Sequence, residues 1–106
     1  MPNYNFGLYP DSLREEKSGA GALSVETYST RLTAGGTIAN SLADVDKVGQ
    51  LKKITLEDAN ATTITPATFA DGSTVALAAA VGNFVELMWI GDAGWRVIDE
   101  KGATIS

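Results

Sequence analysis

The chain has 106 residues, 44% of them apolar and 20% charged, with a formal charge of −5 at neutral pH, the composition of one globular domain rather than of a disordered segment. An acidic chain whose only adjacent basic residues are Lys52 and Lys53 lacks the clustered cations that phosphate neutralisation needs, so no nucleic acid is expected as a partner. Cys and His are both missing, which removes disulfides, thiolate chemistry and the commonest general base and metal ligand.

The N-terminal stretch differs from the rest. Tyr4, Phe6 and Leu8 alternate with Asn5 and Gly7, the pattern of an extended strand with one apolar face. Pro10 ends it, because Tyr9 before it is pushed out of the helical region. Ser12-Leu-Arg-Glu15 fits a capping box, so about one or two helical turns are expected over residues 11–17. Ser18-Gly-Ala-Gly-Ala22 has the composition of a flexible joint. Residues 1–22 therefore read either as a disordered tail or as an arm that orders on a partner. Three aromatic side chains within nine positions favour the arm, with Tyr4, Phe6, Leu8, Tyr9 and Leu13 as its contact residues. The N-terminus lacks the basic-then-apolar layout of a signal peptide, and no apolar run in the chain approaches the ~18 residues of a membrane span.

Residues 23–106 read as a β domain. A long strand is expected over 23–33, ending at the turn Ala34-Gly35-Gly36, and a shorter one over 37–43. Residues 44–48 read as loop, with a short helix as the rival because Leu42, Val45 and Val48 have near-helical spacing. Residues 50–56 form a strand with Ile54 and Leu56 on one face; the pair Lys52 and Lys53 reads as a solvated face. A turn at Asp58-Ala-Asn60, a strand over 61–65 and a turn at Asp71-Gly72 follow. The alanines of 73–81 suit a helix capped by Ser73, but close turn signals on both sides favour a strand.

Residues 82–98 form the strongest hairpin signal, two runs of β-branched and aromatic residues around Gly91-Asp-Ala-Gly94. Alternation puts Val85, Leu87 and Trp89 on one face of the first strand, and Trp95 and Val97 on one face of the second; these are the expected core. Phe84, Met88 and Ile90 make the opposite face apolar too. A strand apolar on both faces needs cover on both, which marks these three as a candidate subunit interface unless loops of the same chain cap them. A turn at 99–102 and a short strand over 103–106 complete the chain. Turns every ~8–12 residues without a long helix predict an all-β fold, a small antiparallel sandwich or jelly-roll-like barrel with an extended N-terminal arm. The strand-and-turn rhythm is not a sequence repeat, and no solenoid motif is present.

Little in the chain suggests chemistry. The carboxylate pairs Asp44/Asp46, Glu57/Asp58 and Asp99/Glu100 fall in expected turns, where acids are solvated or cap the backbone, so no catalytic residue is assigned. Asp44-Val-Asp46 and the Asp71 turn miss the spacing of a calcium loop, and no metal, cofactor or small-molecule substrate is expected. Trp89 and Trp95 at hairpin spacing read as core or interface rather than as a sugar platform.

The succession Val25-Glu-Thr-Tyr, Arg31-Leu-Thr, Leu42-Ala-Asp, Gly49-Gln-Leu-Lys-Lys-Ile-Thr-Leu, Ile64-Thr-Pro, Asp71-Gly-Ser-Thr-Val, Val85-Glu-Leu-Met-Trp, Gly94-Trp-Arg-Val-Ile and Gly102-Ala-Thr-Ile resembles a β-rich module of tailed-phage virion proteins. That module occurs in capsid decoration (cement) proteins and in fibre or knob segments. The resemblance covers residues 23–106; residues 1–22 lie outside it, and 76–81 are richer in alanine than its pattern. It implies a non-enzymatic homotrimer on the outer surface of the virion capsid, bound to the major capsid protein. A first Met and a length too short for a fibre shaft fit a free-standing small subunit. The alternatives are a tail-fibre or spike tip knob that binds a host glycan, and a monomeric carbohydrate-binding module.

Overall fold

The computed structural model describes residues 14–33 and 35–106. Among them there is no helix, and ten strands form: β1 (Arg14–Ser18), β2 (Gly21–Leu23), β3 (Ser29–Thr33), β4 (Ile38–Leu42), β5 (Leu51–Leu56), β6 (Thr62–Pro66), β7 (Val75–Leu77), β8 (Phe84–Trp89), β9 (Trp95–Lys101) and β10 (Ala103–Ile105). They build two five-stranded sheets, β1-β3-β5-β8-β9 (sheet one) and β10-β7-β6-β4-β2 (sheet two). Alternate residues of β5 and β8 are buried, as a strand with one face on a core requires. Leu32, Ile54, Leu56, Val85 and Leu87 from sheet one meet Leu42, Ile64, Val75 and Leu77 from sheet two, all but inaccessible to solvent. The fold is an all-β sandwich.

Strand direction departs from expectation. Up to β6 the chain alternates between the sheets, so neighbours within a sheet are two strands apart in sequence and run the same way. β1–β3, β3–β5, β2–β4 and β4–β6 are all parallel. The last step advances twenty-four residues in both sheets, with Ser29 opposite Lys53 and Ile38 opposite Thr62. The first half is therefore a coil of two strands per turn without any repeated sequence, because a coil of this size asks only for apolar alternation and a bend at each crossing. β7, β8, β9 and β10 then pair antiparallel and close the sandwich.

Four local expectations are corrected. Residues 14–18 form β1 rather than helical turns: Glu15 does not fold back on its own backbone but accepts hydrogen bonds from Ser24 N (3.0 Å) and Thr30 Oγ1 (2.7 Å). The joint at 18–22 shrinks to Gly19-Ala20, since Gly21 already opens β2. The long strand over 23–33 is two strands in different sheets, with Leu23 and Leu32 entering the core from opposite sides. The turn at 99–102 contracts to Gly102 (φ +72°), because β9 runs on to Lys101 past a bulge opposite Glu86/Leu87. Residues 44–48 are loop, and β7 is a strand.

The 82–98 hairpin supplies Val85, Leu87, Trp89 and Trp95 to the core as expected, but it lies at one edge of sheet one rather than at its centre, with β9 outermost and largely exposed beyond Trp95. Trp89 and Trp95 are Cα partners in an edge-to-face pair, with centroids 5.5 Å apart and planes at 75°. Trp95 is wholly buried and donates Nε1–H to the Ala43 carbonyl at 3.0 Å, so its one polar group is satisfied. Val97 is half-buried against this cluster.

Candidate interaction surface

The pairing register lays out the outer face of sheet one as transverse rows. Leu51, Met88 and Arg96 form one row across β5, β8 and β9. Arg14, Ser29, Lys53, Glu86 and Asp99 form the next, from β1 to β9. Glu16, Arg31, Thr55, Phe84 and Lys101 form the third. Two of the candidate interface residues, Phe84 and Met88, thus stand on this outer face, and Ile90 follows β8 at the same parity; all three are half-buried. Leu51 is 38% exposed beside Met88, and Ile98 is 46% exposed at the bulge.

The face is not uniformly apolar. Lys53 Nζ lies 4.6 Å above the Phe84 ring, and Tyr28 donates its hydroxyl to Glu86 Oε2 at 2.6 Å. Arg31 spans the sheet between Glu16 (3.2 Å) and Glu57 (3.1 Å), and its guanidinium is held above its usual pKa by Glu57 first and then by Glu16. These pairs are open to water and contribute little stability. What they set is a pattern of charge beside the apolar pair Leu51 and Met88.

Behind this face lies a polar cluster around Lys52. Lys52, expected on a solvated face, is 1% exposed. Strand alternation puts it on the same side as Ile54 and Leu56. Its Nζ donates to Thr30 Oγ1 (2.6 Å), Thr27 Oγ1 (3.0 Å) and the Thr27 carbonyl (3.3 Å), with Glu15 Oε1 at 4.0 Å. Burial pulls its pKa down to about 8, against the opposing pull of Glu15. On the other sheet Thr62 Oγ1 donates to Asn40 Oδ1 (2.7 Å), and Asn40 Nδ2 donates to the carbonyls of Gly19 and Gly21. The side of the sandwich flanked by β1 and β2 is thus lined with polar groups that bond to each other.

The carboxylate pairs do backbone work. Asp58 accepts from Gly35 N and Asn60 N, Asp99 from Glu100 N, and Glu100 from Ala103 N. Asp71 accepts from Val97 N at 2.8 Å and pairs with Arg96 at 3.5 Å, and Asp44 accepts from Thr68 Oγ1. Among the described residues no three Asp or Glu converge in a way that could hold a metal ion. The candidate arm residues Tyr4, Phe6, Leu8, Tyr9 and Leu13 lie outside the described residues. Comparison of the chain with protein-family models and with curated proteins gives no match.

Proposed function

We propose that this protein is a structural component of a tailed-phage virion: a non-enzymatic homotrimer that decorates the outer surface of the capsid and bridges neighbouring major capsid subunits. The observation that carries the reading is the outer face of sheet one, where Leu51 and Met88 form an apolar patch, parted from the half-buried Phe84 by the charged row of Lys53 and Glu86. A solvated sheet face has no need of that patch, whereas a subunit interface has. The sequence resemblance over 23–106 supplies the virion context, and the aromatic N-terminal segment supplies a second contact. Such a protein stabilises a shell by mass action, because it binds the assembled lattice and not free subunits. Three weak contacts per trimer then act together.

The test is a cryo-EM reconstruction of the source virion together with sedimentation equilibrium of the purified chain. Trimers on the head in lattice-determined copy number support the reading. A monomer at all concentrations, or a few copies confined to the tail tip, overturns it; the second outcome points to a receptor-binding knob.

A further inference from the structure

We propose that β1 is an exchangeable strand, and that the edge of β3 beside Lys52 is a docking slot for Arg14–Ser18 of a second copy of this chain. Among the described residues β1 is the edge strand of its sheet, paired on one side with β3. Its two inward side chains are Glu15 and Lys17, and neither is apolar. Lifting β1 therefore exposes little hydrophobic area, unlike β3 or β5, whose inward faces carry Leu32, Ile54 and Leu56. Among the contacts that hold it are the ladder to β3, the seat of Glu15 among Ser24 N, Thr30 Oγ1 and Lys52, and the exposed Glu16–Arg31 pair.

That seat is chemically specific. Lys52 (β5), Thr30 (β3) and Thr27 (the β2–β3 bend) form a buried donor pit at the strand's edge, and Glu15 of β1 is the carboxylate that reaches it. An incoming strand must present an acid at one register position with polar neighbours, and β1 of another copy does so by identity.

The connection favours exchange. β1 reaches β2 through Gly19-Ala20, and both Gly19 (φ +87°) and Gly21 (φ +132°) hold positive φ. Asn40 holds the carbonyls of Gly19 and Gly21, and Gly19 N donates to the Thr33 carbonyl at 3.0 Å, so exchange has to open the Gly19 bonds while Gly21 keeps the start of β2 in place. A short, conformationally restricted hinge beside a weakly held edge strand is the arrangement that exchanges between copies. Closed and exchanged forms share the same contacts, so the balance follows the local concentration of neighbours. This inference concerns contacts between copies and stands whether or not the chain decorates a capsid.

Disulfide trapping tests it, since the chain has no Cys of its own. Glu16 and Arg31 are exposed Cα partners across β1 and β3. One preparation carries Glu16→Cys and the other Arg31→Cys; they are mixed at ~1 mM, the scale of an intramolecular effective concentration, and oxidised. Exchange gives a disulfide-linked heterodimer in about tenfold excess over a Glu16→Cys and Ser41→Cys mixture, in which Ser41 lies exposed on β4 of the other sheet. The double variant Glu16→Cys/Arg31→Cys, oxidised when dilute, closes within one chain and confirms that both cysteines suit the register. Heterodimer no more abundant than in the control mixture, with that double variant closing normally, overturns the proposal.

Discussion

The most informative single residue is Lys52, because its state depends on pH. Its folded pKa of about 8 lies below the ordinary lysine value of 10.5, so between these values the folded chain has released a proton that the unfolded chain keeps. Stability therefore rises as pH increases from about 8 to about 10.5, by at most ~3.5 kcal/mol at ~1.4 kcal/mol per pKa unit. Denaturant unfolding at stepped pH measures this, and the rise should vanish in Lys52→Met. A Lys52→Met chain that keeps the same rise would place the titrating group elsewhere. Gly94 makes a sharper steric prediction. It sits at φ +94°, and a Cβ there would overlap the Thr68 carbonyl, which accepts from Trp95 N at 3.0 Å. Gly94→Ala should cost about 1–3 kcal/mol from the backbone conformation alone, and more from the overlap. Trp95→Ala should cost ~3–5 kcal/mol, as for any fully buried large aromatic. Thermal melts rank the two against the native chain.

Among the elements, β8 tests the outer face. Met88 points away from the core, so Met88→Asp places a charge beside Leu51 without touching the packing behind it. If the chain is the proposed homotrimer, the expected result is its dissociation in sedimentation equilibrium, with circular dichroism unchanged. A trimer that survives both Met88→Asp and Phe84→Asp would move the interface off this face. β8 was readable in advance because strict alternation around two tryptophans allows one register only, and it fixed Val85, Leu87, Trp89 and Trp95 as core. β1 was not readable. Arg-Glu-Glu-Lys-Ser carries no apolar signal, and its strand state comes from partners at positions 24, 30 and 52 that local pattern cannot show. Lys52 lay between these cases. Its parity with Ile54 and Leu56 is visible in the sequence, but its charge reads as solvated, and buried hydroxyls that satisfy an ammonium leave no mark at short range. The parallel coil was hidden for the same reason, since alternation along a strand says nothing of which strand lies beside it.

For the whole molecule, the decisive question is what the first thirteen residues do, and β1 changes how to ask it. Removing residues 1–17, a natural cut if that stretch were a loose arm, would delete an edge strand and leave Lys52 and Thr30 without Glu15. Loss of capsid binding in that truncation would not separate a missing contact from a damaged domain. Removing residues 1–13 instead leaves every described strand intact. If Tyr4, Phe6 and Leu8 form a contact on the capsid, as their spacing of two suggests, the shorter deletion should keep the melting temperature and the oligomeric state and abolish binding to heads. The triple variant Tyr4→Ser, Phe6→Ser and Leu8→Ser should do the same at full length, which rules out chain length as the cause. Ordering an extended segment costs roughly 1–2 kcal/mol per residue, so binding through it should be weak for one chain and strong only for three acting together. A chain held monomeric by Met88→Asp should therefore lose head binding even with its N-terminus complete. Co-sedimentation of each variant with heads lacking the protein measures this, and a 1–13 deletion that still decorates with native affinity would place the contact on the β body.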